Sequence, residues 1–398
     1  MSVRKERYYI ALLLLVIIFV GASLRSPISS VGPLVPFFSE DLCINNTTVG
    51  LLNTLPLLAF ALFSPFIPKI ARKHGMEVPL LIAMIFLTAG ILIRGMDGIF
   101  MLFFGTAIIG MSIAVGNVLS PGLIKATFPF KVGIMTGLYT FSMNIVSALS
   151  AGVSVSVATS ADFDWRTGLA MWGIFPLIAV LVLILRMPRT LEERKKVFKK
   201  IDDVPSEKLW NSKLAWAVTL YMGLQSLIPY TLFAWLPAIL IEKGFTQTTA
   251  GWLMTIYQLG ILPTTFIAPV IAYKFSGQRG LGVTSGLMWS VGLIGIFFMS
   301  NHWMIIPFLI ITGVGAGTTF SLAMLFFVLR SKTVEQSAQL SGMAQSVGYV
   351  LAATGPLFLG MIAESAGTWD IPMVILIIIS FMIAFFGYFA GRDRTISG

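Results

Sequence analysis

The chain has 398 residues, of which 57% are hydrophobic and 11% charged. So little charge in so apolar a chain excludes an ordinary soluble globular domain. The net charge of +10 would suit a nucleic-acid partner, but its distribution along the chain excludes that reading.

A bilayer-spanning helix needs about 20 mostly apolar residues. Twelve such runs occur, at 8–38, 46–70, 78–95, 99–125, 131–158, 165–187, 212–241, 246–273, 280–300, 303–330, 336–363 and 369–391. No alternation of the transmembrane β-barrel kind accompanies them. Lipid leaves helices as the way to satisfy this much backbone, so the expected fold is an all-α polytopic membrane protein with twelve transmembrane helices.

The first run holds the feature that organises the rest. Ala11–Val20 contains no polar residue, and Arg25 follows within Gly21–Pro36, before the run ends at Phe38. A charge at that depth costs at least about 2.5–3.5 kcal/mol on insertion scales, so it is expected to face a polar interior and to have a partner. The run is too long for a signal-peptide core and lacks a small-residue cleavage site, so it reads as a retained helix. The single cysteine, Cys43, follows in the next loop and forms neither an intrachain disulfide nor a thiolate metal site.

With the N-terminus placed in the cytoplasm and the loops alternated, 23 of the 27 Lys and Arg fall on the cytoplasmic side. Arg94, Arg166 and Lys243 fall outside and Arg25 within the membrane. This positive-inside pattern predicts cytoplasmic termini and assigns the basic balance to topology.

The long polar stretch Arg186–Lys213 divides the chain into an N-terminal six-helix bundle (1–187), a cytoplasmic linker (188–211) and a C-terminal six-helix bundle (212–398). Leu191–Ile201 could form a short amphipathic surface helix. The halves repeat one another. Thr47-Thr48-x-Gly50-x-Leu52-x-Thr54 matches Thr248-Thr249-x-Gly251-x-Leu253-x-Thr255 at an offset of 201 residues. The match continues through Leu58/Leu259, Pro68/Pro269, Ile70/Ile271, Ala71/Ala272 and Lys73/Lys274, ten identities in 27 positions. Two parallel six-helix repeats imply a pseudo-two-fold axis along the membrane normal and a mid-membrane site.

That organisation resembles the major facilitator superfamily over essentially the whole chain. The family's loop after helix two reads G-x-L-A-D-R-x-G-R. Here Pro68-Lys69-Ile70-Ala71-Arg72-Lys73-His74-Gly75 keeps the alanine, a basic residue and a glycine, but has Pro68 for glycine and Arg72 for the acid. Gly348-x6-Gly355-Pro356-x3-Gly360 in helix eleven is similar to the glycine-proline motif of antiporter helix five, whereas helix five here lacks the proline. More narrowly, Leu24-Arg25-x-x-Ile28-Ser29-Ser30-Val31-Gly32-Pro33-Leu34 resembles the cyanate and 2-nitroimidazole permease branch. That resemblance implies a small anionic or weakly acidic planar solute.

None of the 17 acids lies mid-helix, and both histidines lie in loops. A buried carboxylate proton relay is therefore not expected. The Arg25 guanidinium is a planar fork suited to carboxylate-like or triatomic anions. The substrate anion is the candidate partner. The bland alternative is that carbonyls, Ser, Asn and water satisfy Arg25. Polar mid-helix residues complete the expected substrate site: Asn117 and Tyr139 in the first half, Gln225, Tyr257, Gln258, Gln345 and Tyr349 in the second. Asn53, Asn144, Tyr230 and Trp235 are candidates for gating or packing, since polar residues often serve as interhelical glue.

The expected function is secondary transport of such a solute across the plasma membrane by alternating access. No cofactor or metal, a small-molecule solute and the lipid bilayer as partners, and a functional monomer complete the expectation. The alternatives are a drug or metabolite exporter with Arg25 structural, or a sensor without flux. A membrane-embedded enzyme would need a nucleophile-base pair, a metal site or paired carboxylates in the core, and the sequence supplies none.

Overall fold

The computed structural model describes residues 3–44, 46–160, 162–197, 207–299 and 302–396. All regular elements among them are helical. In the first half they are α1 (Val3–Ser29), α2 (Val31–Asp41), α3 (Asn46–Phe63), α4 (Ile67–His74), α5 (Glu77–Arg94), α6 (Ile99–Thr127), α7 (Val132–Ala158), α8 (Trp165–Ala170) and α9 (Ile174–Val197). In the second they are α10 (Glu207–Trp210), α11 (Lys213–Glu242), α12 (Gln247–Ala272), α13 (Arg279–Phe298), α14 (His302–Leu329), α15 (Val334–Ala366) and α16 (Asp370–Ala390). Eleven spans among the described residues are long and apolar enough to cross a bilayer, or twelve when the bent pair α3–α4 counts as one.

Three runs depart from the simple expectation. The first span continues from α1 into α2 with a discontinuity at Ser30. The second breaks at Ser64–Phe66, and α4 leaves α3 at 56°. Pro65 supplies no N–H to the turn before it, and its ring crowds the carbonyl four residues earlier. At the 201-residue offset Phe266 stands in its place, and α12 runs unbroken to Ala272. Third, the sixth span continues as α9 to Val197, so the expected linker begins as helix. LEERKKV is polar but made largely of good helix formers. The rest of the linker up to 206, and with it the end of the expected surface helix, lies outside the described residues.

The chain divides into two compact units. One is Met1–Lys131, Leu138–Pro205 and Val334–Gly342; the other is Val132–Gly137, Ser206–Thr333 and Met343–Gly398. In the first unit, Val31, Leu34, Phe38, Val49, Leu52, Leu102, Trp165 and Leu169 form one cluster that joins α2, α3, α6 and α8. Beside it Arg166 gathers Asp41 (2.7 Å), Asp97 (2.7 Å) and Asp164 (3.1 Å). Asp164 also caps α8, accepting from the Thr167 N–H. Burial pushes its carboxyl up, but that N–H and Arg166 outweigh it and hold it below the usual range. At the other end of this unit Arg186 Nε donates to both Glu77 oxygens (3.0 and 3.1 Å), and its Nη1 donates to the Tyr9 carbonyl. This buried pair ties α9, α5 and α1.

In the second unit, α13 and α16 meet at Gly282 and Gly387, where a Cβ on either would lie 2.4 Å from the other's carbonyl oxygen. Small residues of this kind let membrane helices approach closely. Arg330 Nε donates to the Ala390 carbonyl at 2.8 Å, and its Nη2 bonds Gln278 Oε1. The Ile396 N–H returns to the Arg330 carbonyl, which pins the chain beyond α16. Burial lowers the Arg330 guanidinium to about 10, with Asp393 acting in the opposite direction.

Candidate functional site

One face of α1 builds the first-half site. Gly21, Arg25 and Ser29 recur every four residues and so share a face. Gly21 lets α7 come close, since a Cβ there would lie 2.7 Å from the Tyr139 carbonyl oxygen. One turn on, Arg25 Nη1 donates to Asn144 Oδ1 at 2.6 Å. A turn further, the Ser29 and Ser147 hydroxyls lie 2.5 Å apart. Asn144 Nδ2 donates to the Thr140 carbonyl, which fixes the amide with its oxygen toward the guanidinium. Tyr139, fully buried, donates to Asn117 Oδ1 at 3.2 Å. Gly116 clears the way for α1, because a Cβ there would meet Leu24 Cδ2 at 2.4 Å. Arg25, Asn117, Tyr139 and Asn144 therefore meet where α1, α6 and α7 converge, and Arg25 is half-buried among them. Asn144, expected to gate or pack, is a direct hydrogen-bond partner of Arg25. Asn53 lies in α3, and its side chain is outside the described residues.

The second-half candidates divide differently. Gln225 is buried, but its amide donates to the Met222 carbonyl (3.1 Å) and the Ser226 hydroxyl (2.9 Å), both on its own helix. Tyr257 is buried with its ring against Phe233 and Trp289, and Gln258 beside it is half-buried. Gln345 and Tyr349 are buried on one face of α15, and the Tyr230 ring meets that of Tyr349 edge-on at 6.4 Å. Trp235 takes up a packing contact. Its Nε1 donates to the Pro356 carbonyl at 2.8 Å, its ring lies under Gly360, and the Trp369 ring packs against it at a 40° tilt, 5.2 Å between centroids.

Arg94, expected on the outer side at the end of the third run, ends α5 with 1% of its surface exposed. Its Nη1 donates at 2.6 Å to the Pro27 carbonyl, in the last turn of α1 before the discontinuity at Ser30. Nε and Nη2 are buried and, among the described residues, have no hydrogen-bond partner. A cation at a helix C-terminus is favourable, but two orphaned donors are not. Arg94→Met is therefore expected to leave thermal stability within about 1 kcal/mol, because an apolar chain of similar length relieves a buried charge. Arg94→Ala, which leaves a void as well, is expected to cost roughly 2–4 kcal/mol by thermal denaturation.

With this architecture in view, the chain belongs to the Major Facilitator Superfamily, whose model matches residues 11–248 and 236–397. It is a multi-pass membrane transporter of that family and not an enzyme. Among curated proteins it is 42% identical to the uncharacterized transporter YycB of Bacillus subtilis, over 96% of this chain and 93% of that one. It is 39% identical to the 2-nitroimidazole transporter of Escherichia coli, over 96% and 95%. The cyanate transport protein CynX of the same organism is 23% identical over 90% and 91%. The fold is that of the proton:xylose symporter XylE, with a TM-score of 0.75, 14% identity and 98% and 97% coverage.

Proposed function

We propose that this chain moves a small anionic or weakly acidic planar solute across the plasma membrane by alternating access, with both termini cytoplasmic and one chain as the transport unit. Arg25 is the anion anchor. The observation that carries the reading is the half-buried guanidinium, deep in the first span and held by the Asn144 amide oxygen at 2.6 Å. A neutral acceptor orients a guanidinium without cancelling its charge, and in this reading a solute anion binds beside that contact. Two relatives named for cyanate and for 2-nitroimidazole support the solute class: the first is a linear triatomic anion, the second a planar weak acid.

The test is a thermal-shift screen of purified protein against cyanate, nitrate, nitrite, short carboxylates and nitroimidazoles, each repeated with Arg25→Gln. A ligand that stabilises the wild type by mass action and not the variant supports the anchor. Stabilisation by neutral or cationic compounds, unchanged in the variant, makes Arg25 structural and favours an exporter. Asn144→Asp gives a second discrimination. The new carboxylate satisfies Arg25 internally, so stability holds or rises while uptake into proteoliposomes collapses. Undiminished uptake in that variant overturns the anchor role.

A further inference from the structure

We propose that Arg94 is a positioning residue for Arg25, an inference that rests on Arg25 being the anion anchor. Arg25 sits between two fixed points on α1. One turn before it, Gly21 meets α7 so closely that a Cβ would lie 2.7 Å from the Tyr139 carbonyl oxygen. Two residues after it, Arg94 Nη1 holds the Pro27 carbonyl at 2.6 Å. Between these points the helix is weakened. Pro27 has no N–H to give, so the Ser23 carbonyl loses its helical partner in the very turn that carries Arg25. The helix then ends at Ser29. A turn that lacks a rung and lies close to a helix end does not fix the direction of its side chain by itself. The tie from α5 supplies that constraint, and Asn144 receives the guanidinium where the tie aims it.

Arg94 is a rigid post. A Cβ on Gly105 of α6 would lie 2.6 Å from the Arg94 backbone nitrogen, and one on Gly95 would lie 3.3 Å from the Ala170 Cβ of α8. The guanidinium itself is buried, and its Nε and Nη2 find no hydrogen-bond partner among the described residues. Two orphaned donors cost stability, so the contact with Pro27 serves conformational specificity rather than stability. The repeat points the same way. At the 201-residue offset Gly295 stands for Arg94, and with one residue of slippage Gln225 and Leu227 stand for Arg25 and Pro27. Gln225 is tied to its own helix through the Met222 carbonyl. Where no guanidinium has to be aimed, neither the proline nor the arginine post occurs.

The experiment has two arms. The first needs no solute and reads the thermal midpoint of the purified full-length protein. Asn144→Ala removes the acceptor of Arg25 and is expected to lower the midpoint. In the Arg94→Met background the same change is expected to lower it by about half as much, because residues in one hydrogen-bond network do not act additively. Arg94→Lys, which keeps a cationic donor, is expected to restore most of the difference. Equal falls in the wild-type and Arg94→Met backgrounds overturn the inference. The second arm follows uptake of 2-nitroimidazole and of cyanate into proteoliposomes. Arg94→Met is expected to raise the half-saturating concentration about tenfold at an unchanged maximal rate, and to add nothing once Arg25→Gln is present. A loss confined to the maximal rate, or an undiminished effect of Arg94→Met in the Arg25→Gln background, makes Arg94 structural and overturns the inference. If Arg25→Gln leaves half-saturation unaltered, or neither probe is taken up, the anchor or its solute class fails instead, and the midpoint cycle alone decides whether Arg94 positions Arg25. Gly105→Ala displaces the same post without removing its charge; it is expected to give the same split and replaces Arg94→Met if that variant does not fold.

Discussion

Arg25→Gln is expected to fold normally and to lose solute affinity by roughly 30- to 3,000-fold. The range follows from the cost of truncating one member of a buried, hydrogen-bonded charge pair, about 2–5 kcal/mol, at about 1.4 kcal/mol per tenfold. Glutamine keeps a hydrogen-bonding group near Asn144, so the α1–α7 contact survives through Gly21 against Tyr139 and Ser29 against Ser147. What it removes is the cation. Arg25→Lys separates charge from shape: an ammonium is a point charge, whereas the guanidinium offers paired donors to a planar anion. An intermediate loss with lysine, read as the concentration dependence of uptake into proteoliposomes, supports bidentate recognition. Normal affinity with lysine rules the fork out and leaves charge alone as the requirement. Unaltered affinity with glutamine removes Arg25 from the solute site altogether.

What the sequence made legible follows the range of the forces involved. Spans are local, because about 20 consecutive apolar residues suffice to define one, so the twelve runs and the repeat could be read directly. Arg25 was legible for the same reason, as a charge inside a run. The break at Pro65 was not. Pro229, Pro237, Pro263 and Pro269 all lie inside unbroken helices here, since neighbouring helices can satisfy the freed backbone groups. Which proline bends its helix depends on neighbours distant in sequence. Arg94 was illegible in a different way. At the end of an apolar run an arginine looks like the start of a loop. Its burial depends on α6 pressing against α5, where a Cβ on Gly105 would lie 2.6 Å from the Arg94 backbone nitrogen. Asn144 illustrates a third limit. Its residue type announced a hydrogen bond, but only the register of α7 against α1 makes Arg25 the partner.

The second large effect is expected at Glu77. With Arg186 it forms a buried ion pair, and removing one partner of such a pair leaves an uncompensated charge that costs about 3–5 kcal/mol. Glu77→Ala is therefore expected to fall by that amount in thermal or denaturant unfolding. Glu77→Gln is expected to fall by much less, for a reason internal to the chain. At the 201-residue offset the position of Glu77 is occupied by Gln278, and a neutral amide there already accepts from the buried Arg330. There the direct acceptor is an amide, with the Asp393 carboxylate acting on Arg330 through its charge, so an acceptor in direct contact is expected to matter more than a charge on that acceptor. The combined change Glu77→Leu/Arg186→Met sharpens this. Replacing both charges with apolar groups of similar volume is often neutral or stabilising by about 1–4 kcal/mol. Arg186 also holds the Tyr9 carbonyl, so the double variant is expected near the neutral end. If Glu77→Gln proves as damaging as Glu77→Ala, the charge itself is required, and the analogy between the two halves fails at this position.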